Sequence, residues 1–226
     1  HFLLFSMTKI CFLTTSPFSK RDFERFAIAE ITSAGNEVMV LDCTPFLDEK
    51  YDKKIDGKYL CVNDKRLKRC SSLIQLVKYI LDFNPDWSVD FLQGYCLNKY
   101  FHRVFIRIFL KLTCKIIHYR TGSAPFYVGP KIEEKRILRL INKLKVTTIK
   151  LLSLPWDIFN ADKVVVGGLI EFKKLKNKKD AILAHNLDYD NYLQINKFSP
   201  KGSKKKLIFL DEDFPLHSDY EREGLF

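Results

Sequence analysis

Residues 9–42, KICFLTTSPFSKRDFERFAIAEITSAGNEVMVLD, decide how the chain is read. Lys9 to Thr15 is a short, unbroken apolar run that stops at Ser16-Pro17. A strand buried on both faces has this form, because it meets helices on each side rather than water. Phe23, Phe26, Ala27, Ile31 and Ala34 then recur at helical spacing, and Gly35-Asn36 supplies a left-handed stop. Glu37 to Asp42 is a second apolar run. Strand, helix, glycine turn and strand together make a βαβ opening.

The same rhythm continues outward. A short strand is expected at Tyr59 to Val62, and Leu73, Leu76, Val77, Ile80 and Leu81 define an amphipathic helix over 71–83, stopped by Asn84-Pro85. Strands are expected at 89–92, 114–119, 162–166 and 182–184, with helices at 98–112, 131–152 and 189–196. Repeated βα units with buried strands predict a Rossmann-like α/β fold: an open, mostly parallel sheet with helices on both faces. Residues 197–206, KFSPKGSKKK, break the rhythm and read as a linker. LIFL at 207–210 is then a fresh strand. The expected organisation is a non-native or disordered start at 1–8, a domain at 9–197, a linker at 198–206 and the cut-off start of a second domain at 207–226. The first methionine is Met7, where translation is expected to begin.

Composition narrows the classes. The chain has 226 residues, 46% hydrophobic, so one domain with a sizeable core is affordable and disorder is not expected. Lys and Arg outnumber Asp and Glu by 38 to 27, a balance that favours a polyanionic partner. The six cysteines show no CxxC pair and no metal spacing, which suits reduced thiols in a cytosolic compartment. No stretch reaches the roughly 20 apolar residues of a membrane span.

Ligands of open parallel sheets bind at the carboxyl ends of the strands, so the loops there hold the candidate site. The first is Ser16 to Arg21, in which Ser16, Phe18, Lys20 and Arg21 offer acceptor or anion contacts before a helix start. Ser19 also reads there as a plain N-cap. The loop is neither GxGxxG nor a P-loop, which removes the main support for dinucleotide or ATP binding. Arg120, Thr121 and Gly122 follow a strand ending in His118, a candidate general base whose bland reading is a hydrogen-bonded strand-end histidine. On the helix at 98–112, Arg103, Arg107 and Lys111 stand at i, i+4 and i+8. That stripe reads either as a membrane-surface anchor or as the solvated face of a packed helix. Nucleic acid is disfavoured, because no recognition module is present. The carboxylates of 188–190 and 211–213 match no calcium motif, and no metal site is expected.

The opening through AGNEV at 34–38 resembles the start of GT-B glycosyltransferases. AHNLDYD at 184–190, followed by a spacer and KLIFL at 206–210, is similar to the inter-domain passage of family-4-like members. FLDEDFPLHSDYE at 209–221 resembles the second-domain opening of bacterial surface-polysaccharide glycosyltransferases. The resemblance implies transfer of a sugar from a nucleotide-sugar to a saccharide or lipid-linked acceptor, at the inner face of a membrane, without a metal or other cofactor. It places His185, Asn186, Asp188, Asp211, His217 and Asp219 at an inter-domain cleft. It assigns the donor-gripping residues to a second domain, so this chain is expected to be inactive alone.

Overall fold

A computed structural model describes residues 7–16, 18–54, 64–92, 99–120, 151–156, 158–175 and 178–184. All of them belong to one unit, His1–Leu187. In chain order the elements are β1 (Lys9–Thr14), α1 (Lys20–Arg25), α2 (Ile28–Ser33), β2 (Glu37–Asp42), α3 (Thr44–Leu47), α4 (Glu49–Lys54), β3 (Leu67–Arg69), α5 (Leu73–Phe83), β4 (Trp87–Asp90), α6 (Tyr100–Thr113) and β5 (Lys115–Arg120). After helical residues 151–156 come β6 (Lys163–Gly167), a short helix Leu169–Lys174 and β7 (Ala181–Ala184).

The strands form one seven-stranded sheet in the order β3-β2-β1-β4-β5-β6-β7, and every pairing is parallel. This is the doubly wound α/β arrangement expected from the repeated apolar runs. Two cores sandwich the sheet, because successive residues of a strand face opposite ways. On one face Cys11, Leu13, Met39, Leu41 and Ile116 pack against Leu76 and Ile80 of α5 and Ile106 and Leu110 of α6. On the other, Phe12, Val38, Val40 and Val89 meet Phe18, Phe23, Phe26, Ile28 and Ile31 around α1 and α2.

β1 and β2 match their expected spans to within a residue, and β4, β5, β6, β7, α5 and α6 to within two. The single helix expected over 23–34 is broken instead. Ala27 has a left-handed backbone, φ 51°, between α1 and α2. An unbroken helix would point residues 26 and 28 about 200° apart; the break turns Phe26 and Ile28 to the same sheet face, where Phe26 packs on Phe12, Phe18 and Phe91.

The third strand is Leu67–Arg69, a basic and only partly buried edge segment without an apolar signature. The strand expected at 59–62 lies outside the described residues, as do residues 131–150 of the expected long helix, the helix at 189–196, the linker and 207–226. The ends of α5 follow local chemistry: the Ser72 hydroxyl accepts from the Gln75 amide at 3.2 Å, and Asn84 closes the helix in the left-handed region. Cys11, Cys43 and Cys70 are buried free thiols. Burial pushes Cys11 and Cys43 well above the usual thiol value, so neither is a ready nucleophile. Among the described residues no helix is long and apolar enough to cross a membrane.

Backbone strain at two positions is testable. Gly35 has φ +85°, and open space surrounds the place of a Cβ. Gly35→Ala should therefore lose about 1 kcal/mol in urea unfolding through the backbone alone. Ala27→Gly, which relieves a left-handed alanine, should be neutral or stabilising in the same measurement.

Candidate functional site at the carboxyl edge of the sheet

β1 lies between β2 and β4, so the chain winds outward in opposite directions from it. At such a switch point the loops leaving adjacent strands diverge and open a crevice at their carboxyl ends. One wall follows β1. Thr14 and Thr15 are buried, the Thr14 hydroxyl donates to the Ser16 carbonyl at 3.0 Å, and Ser16 is exposed. Lys20 is exposed at the start of α1. Arg21 lies within α1, and its side chain is outside the described set.

Phe18 is not a ligand contact. It is 1% exposed, edge-on to Phe23 at 4.9 Å, and anchors the second core. Its apolar ring gains more from that core than from a polar cleft. The α1 start is already occupied by a carboxylate. Asp22 Oδ2 accepts from the Ser19 amide at 2.8 Å and the Ser19 hydroxyl at 2.7 Å, which leaves Ser19 as the capping residue.

The other wall is the end of β4. Asp90 is buried; its Oδ1 accepts from the Leu92 amide at 2.8 Å and its Oδ2 from Arg107 Nη1 at 2.8 Å. Arg107 Nε donates to the Phe159 carbonyl at 2.8 Å, so one guanidinium ties α6 to β4 and to the segment before β6. His118 of β5 is in register with Asp90. The pair share the sheet face that carries Leu13 and Ile116, and neighbouring parallel strands run about 4.8 Å apart. A half-buried imidazole therefore stands beside an ion-paired carboxylate at the carboxyl edge. Arg120 ends β5, while Thr121 and Gly122 lie outside the described residues, as do His185, Asn186, Asp188, Asp211, His217 and Asp219.

The basic stripe of α6 is corrected. Arg103 is 1% and Arg107 3% exposed, and Lys111 Nζ donates to Asp162 Oδ1 at 2.7 Å. Arg107 and Lys111 find protein partners, Arg107 in Asp90 and the Phe159 carbonyl and Lys111 in Asp162. Phe101 (82% exposed) and Leu112 (79%) point outward instead. Neither the membrane anchor nor the solvated basic face describes the two arginines. The sequence signal for the inward pairing was Asp90 itself, a carboxylate inside an apolar strand, which burial obliges to find a cation.

Asp42, at the end of β2, occupies the place where dinucleotide-binding sheets hold a ribose. Here it is fully buried. Its Oδ1 accepts from the Thr44 amide at 2.9 Å and its Oδ2 from Arg69 Nε at 3.3 Å. Burial pushes its carboxyl above the usual value, against the lowering effect of Thr44 and Arg69. Both carboxylate oxygens already have protein partners, and the side chain is closed off from a ribose by its burial. Among the described residues no group of His, Cys, Asp and Glu could hold a metal ion.

No protein-family model and no curated protein matches the chain. Among solved structures it is similar to the spinosyn forosaminyltransferase SpnP at 12% identity and a TM-score of 0.38, covering 80% of this chain and 51% of that one. It is similar to the calicheamicin glycosyltransferase CalG4 at 10% identity and 0.39, covering 80% and 52%. A third similarity is to a UDP-glucose 4-epimerase from Bifidobacterium longum in complex with NAD+ and UDP, at 14% and 0.31, covering 70% and 52%. The chain spans about half the length of each. Superpositions this loose say nothing about activity.

The buried pair gives a sharp expectation. Arg107→Met strands the Asp90 charge and should cost about 3–5 kcal/mol in chemical unfolding, whereas Asp90→Asn with Arg107→Met should recover much of that. Asp162 gives a pH signature. Burial raises its carboxyl, but the Lys111 ammonium and the Ile116 amide outweigh this and hold it below the usual value. Its folded pKa is thus depressed, so its contribution is full above the unfolded value of about 4 and fades as pH falls through the folded one. The stability gap between wild type and Asp162→Asn should be constant above about pH 5 and shrink below pH 4.

Proposed function

We propose that the chain is the acceptor-side domain of a GT-B glycosyltransferase that moves a sugar from a nucleotide-sugar to a polysaccharide or lipid-linked acceptor. The observation that carries the proposal is the switch-point crevice: a wholly parallel sheet in 3-2-1-4-5-6-7 order with exposed Ser16 on one wall and the Asp90–His118 neighbours on the other. A crevice edge that carries a hydroxyl and a half-buried imidazole suits a sugar hydroxyl, which needs hydrogen-bond partners and a proton acceptor. The closed Asp42 site speaks against a nicotinamide dinucleotide in the usual place. The likeness of 184–190 and 209–221 to GT-B inter-domain sequences supplies the family, with residues 207–226 opening the nucleotide-sugar domain.

In this reading His118 is the candidate base, in register with the Asp90 that Arg107 holds. Ser16, Lys20 and the turn after Arg120 contact the acceptor. A non-enzymatic module that grips nucleic acid or anionic lipid through a basic helix is the weaker reading, because Arg103 and Arg107 are buried.

Calorimetry separates the possibilities. The chain should take up saccharide acceptors weakly and show no heat with UDP- or GDP-sugars, since the donor-gripping residues belong to the second domain in this family. Tight nucleotide-sugar binding would place the donor site here and overturn the assignment. His118→Ala should weaken acceptor binding without lowering the melting temperature by more than a few degrees.

A further inference from the structure

β2 and β3 run in parallel register, with Val40 beside Leu67, Leu41 beside Lys68 and Asp42 beside Arg69. The Cys70 amide donates to the Asp42 carbonyl at 2.8 Å, which carries the ladder one step beyond the last strand residues. The next pair in that register is Cys43 and Cys70. Neighbouring parallel strands lie about 4.8 Å apart, inside the roughly 4.4–6.8 Å between Cα atoms that a disulfide bridges. Both side chains are fully buried in the core that holds Leu41, so they lie on one face of the sheet. The Cys43 thiol donates to the Leu41 carbonyl at 3.7 Å, and the Cys70 thiol is within hydrogen-bonding reach of it. Cys11 shares that face but is in register with Met39, with Leu13 and Leu41 intervening.

We propose that Cys43 and Cys70 form a redox-sensitive pair, which a small-molecule disulfide converts into a bond between the carboxyl ends of β2 and β3. The resting state is the dithiol. Burial keeps the Cys43 thiol protonated, so exchange waits for the sheet edge to lift. β3 offers that opening, because it is an edge strand of three residues and only partly buried. With β3 lifted, the Cys70 thiolate attacks one sulfur of the small disulfide and releases the other as a thiol. The Cys43 thiolate then attacks the Cys70 sulfur and expels the second small thiol. Two protein S–H bonds and the oxidant's S–S bond are lost; one protein S–S bond and two small-thiol S–H bonds are gained. The cysteines thereby pass two electrons and two protons to the oxidant. The new bond closes the loop of residues 43–70 and fastens β3 beside the Asp42–Arg69 contact.

The pair is independent of sugar transfer, and its test uses neither donor nor acceptor, so either reading can fail alone. The full chain is incubated with oxidised glutathione under native conditions, and free thiols are blocked with iodoacetamide. The non-reduced tryptic digest is then read by mass spectrometry. Cys43 falls in the peptide 26–50 and Cys70 in 70–78, and neither peptide holds another cysteine. The expected result is a linked pair of those two peptides that dithiothreitol separates. The oxidised chain should melt about 5–10 °C above the reduced one. Cys70→Ala should remove that difference, whereas Cys114→Ala should leave the linkage and the difference in place. The linkage is read on the wild-type chain, so it stands whether or not a variant folds. Cys43 and Cys70 that both remain free overturn the proposal. So does linkage of either to Cys11, Cys61, Cys96 or Cys114, or a Cys43–Cys70 linkage that forms only in denaturant.

Discussion

The Asp90–Arg107 ion pair is the contact on which the candidate site depends. Asp90 ends a central strand and is buried, so its charge is tolerable only with a cation and further donors at bonding distance. Arg107 meets that requirement from α6 and uses its remaining geometry on the Phe159 carbonyl. One guanidinium thus ties α6 both to β4 and to the segment that leads into β6. Lys111 with Asp162 repeats the arrangement one turn further along the helix, in a more exposed setting.

Much of the sheet was legible because buried parallel strands are written as continuous apolar runs: KICFLT and EVMVLD could hardly be anything else. β3 was not legible. LKR is short, basic and at the sheet edge, so it carries neither alternation nor an apolar run. The break at Ala27 was hidden for another reason. Helical spacing of Phe23, Phe26 and Ile31 fits one helix as well as two, and only the demand to seat Phe26 and Ile28 on one face decides between them.

The sequence points to an edge of the sheet more readily than to the orientation of the side chains there. The rule that ligands sit at carboxyl ends pointed to the loops after β1 and β5, and His118 and Ser16 are there. Phe18 was misjudged because a loop position says nothing about which way a ring turns. The arginines of α6 were misjudged because periodicity reveals that a helix has two faces without revealing which one is inward. Hydropathy gives no reason to bury position 107; the carboxylate at position 90 draws Arg107 in beside Ile106 and Leu110.

The central place of β1 also bears on how the chain comes together in time. Its partner β2 follows closely, but its other neighbour begins at Trp87, and the Lys9 amide bonds to Asp86, 77 residues away. At roughly 5–20 residues per second of synthesis, the first strand waits on the order of several seconds with one edge open. During that interval Cys11 and Leu13 lack the cover that α5 and α6 later give them. Early pairing with β2 and packing of α1 and α2 on the opposite face shield Phe12 meanwhile. The order of elements along the chain therefore lets one side of the sheet close before the other, and the late side is the one that holds Asp90 and His118.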